Sequence, residues 1–354
     1  MFKTRSIYKL NKLNTEKIII TKYENMTKTV PQAYWDRIEN IYSKEDIEII
    51  KAGYNIEKRK TSFRVNTIKA TEEQILELLK ENNLEVTKVS YLDNCYVLEN
   101  GTEKDLWELD LFENGKIYIQ QIASQIPVQF MDLTENSKIL DTTAAPGSKT
   151  SQIAALTKNT SEIIAVDNNA IRIDKLNYTI KKQWVKKSLV FKTDARKIHV
   201  PLGEYLELQG WSLDDTKEYF DHILFDAPCT AEGRFNLNKE KSFGFWNETI
   251  FKKAYKLSKS ILEEIIPMLK VDGTLVYSTC TLAPEENEAI THFILSNYPD
   301  MELVPVKIDS PYVRPGIKSF GKHIYRSDVV NTVRCLPSEE TEGFYIAKFK
   351  KVAL

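Results

Sequence analysis

The chain has 354 residues, 42% of them hydrophobic and 28% charged, with 49 Lys and Arg against 50 Asp and Glu for a net charge of −1. That is enough chain to bury a full core, with two domains expected, one large and one small, and near-neutral charge gives no overall pull toward a polyanion. Apolar runs are cut by charge and too short to cross a bilayer; the cysteines (Cys95, Cys229, Cys280, Cys335) are too scattered for a disulfide framework, and no Cys-x-x-Cys or His-x-x-x-His cluster offers a metal site. Met1-Phe2-Lys3-Thr4-Arg5 leads into no apolar segment, so a cytoplasmic protein with reduced thiols is expected.

Residues 1–30 read as a basic arm, with Lys3, Arg5, Lys9, Lys12, Lys17, Lys22 and Lys28 against Glu16 and Glu24. Residues 31–54 read as helical, placing Tyr34, Ile38, Ile41 and Tyr42 on one face, with Ile47, Ile49 and Ile50 following Ser43. The period then changes: 62–68 alternates like a half-buried strand. Thr71-Glu72-Glu73-Gln74 is a capping box that opens a helix carrying Ile75, Leu76, Leu78 and Leu79, and strand-like pieces follow at 85–89 and 95–98. These elements predict a small α+β domain over residues 31–115.

From residue 116 to 354 strands alternate with helices. Strands are predicted at 138–140, 162–166, 189–192, 221–225 and 274–277, and helices at 149–156, 170–183 and 251–269. Such alternation predicts an α/β domain with a doubly wound, Rossmann-like parallel sheet, whose ligand site lies at the carboxyl ends of its strands. A second basic stretch runs through Lys181, Lys182, Lys186, Lys187, Lys192, Arg196 and Lys197, and residues 202–217 and 311–331 read as irregular insertions.

After the first strand of this sheet come Asp141, Thr142, Thr143, Ala144, Ala145, Pro146, Gly147, Ser148 and Lys149, small residues that let a ligand approach the backbone and the helix start. A phosphate-binding P-loop is excluded, since Ser148 and Thr143 stand where it needs glycine, and the lone Gly147 does not make a dinucleotide fingerprint. Taken singly, a strand-end aspartate often just caps the next turn. Asp141, Asp167 and Asp194 in succession point instead to an adenosine pocket, with Asp167 on the ribose hydroxyls and Asp194 on the adenine amino group. S-adenosylmethionine is the adenosine ligand that suits a pocket without a phosphate cradle.

Each of two further strand ends carries a cysteine, in Asp226-Ala227-Pro228-Cys229 and in Ser278-Thr279-Cys280. A strand-end cysteine is by default core filler. Paired beside Asp226, the two suggest thiolate addition to carbon 6 of a cytosine. Thr143 to Thr150, Asp226 to Cys229 with Glu232-Gly233, and Tyr277-Ser278-Thr279-Cys280-Thr281 with Pro284-Glu285-Glu286-Asn287-Glu288 resemble the motifs of Sun-type RNA (cytosine-5) methyltransferases. Arg64-Val65-Asn66-Thr67, Tyr118 to Ser124 and Glu342-Gly343-Phe344-Tyr345 extend the resemblance over residues 31–350.

The resemblance implies S-adenosylmethionine as cofactor, held by Thr143 to Lys149 with Asp167, Arg172, Asp194 and Asp226, and an RNA partner gripped partly by the 31–115 domain. It makes Cys280 the nucleophile, Cys229 its helper in proton loss and product release, and Asp226 and Lys149 the groups that hold the base. Composition and periodicity leave the choice of nucleophile open, because DNA cytosine methyltransferases use the cysteine of a Pro-Cys motif. Ser148, where much of the family has glycine, resembles the branch acting on 16S ribosomal RNA and predicts a slightly altered turn; tRNA is the alternative substrate. A protein or small-molecule methyltransferase, or a non-catalytic ribosome-assembly factor, would be the competing classes. A monomer is expected. Gly233-Arg234-Phe235, Trp246 and the 314–326 loop are candidate RNA contacts, with Phe235 and Trp246 equally readable as core. Cys95 and Cys335 are read as core, and Glu285, Glu286 and Glu288 as the first turn of a helix without a chemical role.

Overall fold

The computed structural model describes residues 29–354, so the basic residues expected in the N-terminal arm lie outside it. Two helices come first, α1 (Gln32–Glu39) and α2 (Lys44–Tyr54). They interrupt the helical stretch at Ser43, whose hydroxyl accepts the Asp46 N–H and caps α2. Tyr34, Ile38, Ile47, Ile50 and Tyr54 pack with Phe235, Phe243, Trp246 and Leu282, so these helices lie on the large unit.

The small unit follows: β1 (Ser62–Val65), α3 (Glu72–Glu81), β2 (Val86–Lys88), β3 (Cys95–Leu98), α4 (Glu103–Glu108) and β4 (Ile117–Ile119). Its antiparallel sheet runs β2-β3-β1-β4, which carries it past residue 115 to Ile119. Both arms of the Thr71–Gln74 capping box form, and Ile75 and Leu79 of α3 bury against Phe63, Val65 and Leu98.

The large unit continues with α5 (Ile122–Gln129), β5 (Lys138–Asp141), α6 (Ser148–Leu156), β6 (Glu162–Asp167), α7 (Ala170–Lys182), β7 (Ser188–Lys192) and α8 (His199–Leu208). Then come β8 (Phe220–Asp226), α9 (Ile250–Ile265), β9 (Leu269–Thr279), α10 (Glu288–Asn297), β10 (Met301–Val304) and β11 (Val313–Pro315). A hairpin of β12 (Ser319–Phe320) and β13 (His323–Ile324) precedes β14 (Val333–Cys335) and β15 (Phe344–Lys351). Of the two segments expected to be irregular or loop-rich, 202–217 is partly helical, since α8 runs to Leu208, and 311–331 is turns around the short β11 and the hairpin.

The large sheet runs β11-β14-β15-β9-β8-β5-β6-β7, with β10 also on β15. β9, β8, β5, β6 and β7 are parallel, as expected, whereas β15 joins β9 antiparallel, so the sheet as a whole is mixed. The chain leaves β5 toward β6 and β7, then returns to place β8 on the other side of β5. Such a reversal opens a crevice at the carboxyl ends of β5 and β8, where ligands bind in folds of this kind. Arg64 of β1 ties the small sheet to that crevice: its Nε donates to Gln120 Oε1 (3.1 Å) and its Nη2 to Ser148 O (3.2 Å) and Ser151 Oγ (2.5 Å) at the start of α6.

Candidate active site

A cleft of about 500 Å³ opens at this switch point. Its walls include Thr143, Ala144, Ala145, Pro146, Ser148, Lys149, Arg172, Asp226, Cys229 and Cys280, all assigned to the site from the sequence. Gly147, Asp167 and Asp194 are not among the lining residues. The loop after β5 is laced to β8, with the Thr142 hydroxyl on Leu224 O (2.9 Å) and the Thr143 hydroxyl on Asp226 O (2.6 Å).

Gly147 has φ of 102°, and a Cβ there would stand 2.9 Å from Thr179 Cβ on α7, so glycine is required on both counts. Ser148 is already the first residue of α6. The position that needs left-handed backbone is thus Gly147, and Ser148 sits in ordinary helical backbone. α6 starts without a side-chain cap, leaving its first-turn N–H groups available to a ligand oxygen.

Lys149 crosses the cleft floor. Its Nζ lies 2.8 Å from Asp226 Oδ2 and donates to Ser124 Oγ (2.9 Å). The other Asp226 oxygen accepts the Ser278 hydroxyl at 2.8 Å, so the carboxylate is fixed by β9 as well as by α6. Behind it, Asp141 Oδ2 accepts the Thr150 hydroxyl (2.7 Å), whereas Oδ1 is buried without a partner among the described residues. Burial pushes the Asp141 carboxyl up to about 6.

The remaining acidic strand ends diverge. Asp167 lies 4% exposed behind the wall, 3.3 Å from Arg172 Nη2, which itself donates to Ala145 O (2.6 Å) and reaches the cleft. Asp194 turns onto Arg196, both of its carboxylate oxygens accepting from that guanidinium (2.5–3.1 Å).

Parallel pairing of β8 with β9 sets Asp226 opposite Ser278, which brings the two following loops together. Cys229 Sγ and Cys280 Sγ are 3.2 Å apart, and the Cys280 N–H donates to Cys229 Sγ (3.3 Å). The hydrogen bond to Cys280, and then burial, push the Cys229 thiol well above the ordinary thiol range. Gly233 N donates to Cys280 O (2.9 Å), and Gly343 N to Gly233 O (2.8 Å). A Cβ on Gly233 would lie 2.0 Å from Gly343 O, so the two glycines let three backbones cross beside the thiols.

The groups that hold these loops were not read from the sequence. Glu286, 1% exposed, accepts the Thr230 N–H (3.0 Å) and hydroxyl (2.5 Å), while Glu232 accepts Trp246 Nε1 (2.7 Å) and the Thr281 hydroxyl (3.2 Å). Burial pushes their carboxyls up to about 8 and about 7. The Pro284–Glu288 motif is thus mostly a turn ahead of α10, and its buried Glu286 buttresses the Cys229 loop. A sequence signal existed in the repeated Cys-Thr pair, since Thr230 and Thr281 share a 2.8 Å hydroxyl contact. Phe235 and Trp246 are buried and Arg314 is paired to Asp46, which leaves Arg234 as the proposed RNA contact lining the cleft. Cys95 and Cys335 are core, as expected.

The chain is similar to known proteins. A solved methyltransferase homolog protein from Pyrococcus horikoshii matches with a TM-score of 0.76 and 28% identity, covering 91% of this chain and 95% of that one. A ribosomal RNA small subunit methyltransferase F from Vibrio parahaemolyticus is 30% identical over 77% of this chain and 54% of its own length. A probable ribosomal RNA small subunit methyltransferase B from Bacillus subtilis is 28% identical over 82% of this chain and 60% of its own. The chain therefore spans between about half and three fifths of these curated relatives. With a further match over residues 128–350 to the family model described as 16S rRNA methyltransferase RsmB/F, laid over the cleft and both cysteine loops, the chain belongs to that family.

Proposed function

We propose that the protein methylates carbon 5 of a cytosine in RNA, with 16S ribosomal RNA the favoured substrate, and that Cys280 is the nucleophile. The observation that carries this reading is the thiol pair, 3.2 Å apart in the same cleft as the Lys149–Asp226 pair. A pocket built only to bind RNA or to methylate an amine needs neither thiol.

The residues present fit S-adenosylmethionine. The uncapped start of α6 suits the ligand's carboxylate, Gly147 keeps the loop free of a side chain, and Arg172 is positioned by Asp167 at the rim. Thr143 to Ser148, with Asp167 and Arg172, would hold it; Asp194, committed to Arg196, would have to release that partner to contribute. When bound, it supplies the electrophilic methyl group that carbon 5 of the base receives.

The chain's own residues do the rest. A cytosine taken out of its stack enters against Lys149 and Asp226, the carboxylate accepting from the exocyclic amine and the ammonium polarising the ring. Cys229 Sγ, 3.2 Å from Cys280 Sγ, donates its S–H to the Cys280 thiolate once that thiol has lost its proton to solvent. Cys280 Sγ bonds to carbon 6, and the electrons of the 5,6 double bond shift to carbon 5. After methylation, the carbon 5 proton leaves to a water molecule hydrogen-bonded to Cys229, its electron pair re-forms the 5,6 double bond, and the carbon 6–sulfur bond breaks to release the Cys280 thiolate.

RNA carrying 5-fluorocytosine tests the assignment, because fluorine cannot leave as a cation and the adduct persists. Wild type and Cys229→Ala should form a stable protein–RNA adduct on denaturing gels, and Cys280→Ala none. With natural RNA, Cys229→Ala should accumulate the adduct while turnover falls at least a hundredfold. An adduct that survives in Cys280→Ala and disappears in Cys229→Ala would reverse the two roles.

A further inference from the structure

Away from the thiols, a second cleft of about 590 Å³ lies between α9 and the β12–β13 hairpin. Its walls carry Tyr255, Phe320 and Ile324, and its rim carries Lys252, Lys256 and Lys322. Ile324 is 82% exposed. The Tyr255 hydroxyl and all three lysine ammonium groups are without a hydrogen bond or ion pair among the described residues. Elsewhere lysines are commonly engaged: Lys149 on Asp226, Lys270 on Asp221, Lys348 on Asp132 and Lys351 on Glu218. Of the acids at this cleft, Glu285 is neutralised by Arg37 (2.8 Å), whose guanidinium covers the Phe251 ring at 4.3 Å and the Phe320 ring at 5.0 Å. Glu248 is the other acid on the rim. Unpaired cations around an aromatic floor match a chain of phosphates with a base turned inward.

Position supports the same occupant. Glu285 lies in the second cleft, and its neighbour Glu286 holds Thr230 beside Cys229. Glu285 stands five positions after Cys280, a chain distance of at most roughly 18 Å.

We propose that this cleft is an accessory site for single-stranded RNA flanking the target cytosine, with a nucleobase stacked against Tyr255 and Phe320 and phosphates on Lys252, Lys256 and Lys322. The proposal rests on the RNA reading of the active site. It is tested on the full chain by fluorescence anisotropy with a short labelled single-stranded oligoribonucleotide over a salt series, in parallel with the 5-fluorocytosine adduct assay. In the Lys252→Gln/Lys256→Gln/Lys322→Gln variant, the slope of log affinity against log salt should be shallower by about 2, from about 0.7 per phosphate contact. Tyr255→Ala should weaken binding roughly tenfold with the slope unchanged. If adducts form and both variants bind with wild-type affinity and slope, the accessory site is overturned and the cytosine chemistry stands. If wild type neither binds RNA nor forms an adduct, both fall. An acidic amphipathic peptide that saturates the cleft while RNA affinity is unchanged would make it a protein-docking surface, and would also overturn the proposal.

Discussion

Glu232 and Glu286 are carboxyl groups buried behind the two thiols, and the consequence is a pH dependence with a definite sign. Their folded-state values, about 7 and about 8, lie above the ordinary 4.5. Between those limits the folded chain binds more protons than the unfolded one, so the stability these groups lend is complete below pH 4.5 and declines as pH rises to about 8. Glu286→Gln should flatten that decline in urea melts recorded from pH 5 to pH 8. An unchanged slope would mean that Glu286 does not titrate in this window. Charged residues in a motif are read as solvent-facing by default, which is why the sequence did not disclose these two. Cys229, Cys280, Asp226 and Lys149 were legible as candidates only in company, because a strand-end cysteine alone reads as core and a strand-end aspartate as a cap, whereas two cysteines at strand ends beside Asp226, with Lys149 opening a helix after another strand, form one pattern.

At the scale of elements, β5, β6, β7 and β8 were readable because each is a compact apolar run between turn residues. β9 was found in its middle and missed at its start, where Lys270 and Asp272 break the pattern although the strand begins at Leu269. α8 was obscured by Pro201 and Gly203, yet proline in a first helical turn forfeits no hydrogen bond. β15 carries Lys348, Lys350 and Lys351, whose ion pairs with Asp132, Asp272 and Glu218 are set by tertiary structure. The crossing of Gly233 with Gly343 makes an element-scale prediction. Gly233→Ala must force the β15 approach away from the Cys280 loop, costing on the order of 3 kcal/mol in chemical denaturation, with methyl transfer lost before cooperative unfolding.

The whole molecule is joined by a buried cation. Arg334 of β14 meets Glu288 of α10 through paired hydrogen bonds and also donates to Tyr42 OH (2.7 Å) and Leu282 O (2.9 Å), with both charged side chains at most 1% exposed. It thereby fastens the N-terminal helices, the segment after Cys280 and the C-terminal strands at one point. Arg334→Met should cost about 3–5 kcal/mol, because it strands the Glu288 charge, and Arg334→Met/Glu288→Leu should recover part of that loss in denaturant melts. A double variant no more stable than the single would show that Glu288 is not the source of the cost. Long-range closures of this kind join residues far apart in sequence, so no local pattern announces them.

The backbone crossing at Gly233 and Gly343 also determines which partner has to move. With the loops after β8 and β9 sewn to each other and to β15, the thiols, Lys149 and Asp226 stand in place before substrate arrives. On the proposed chemistry, the work of reaching the reacting geometry then falls on the nucleic acid, as the cost of unstacking one cytosine. Turnover should therefore rank candidate cytosines by how loosely the RNA holds them, with bulged or unpaired positions ahead of those in a stable helix.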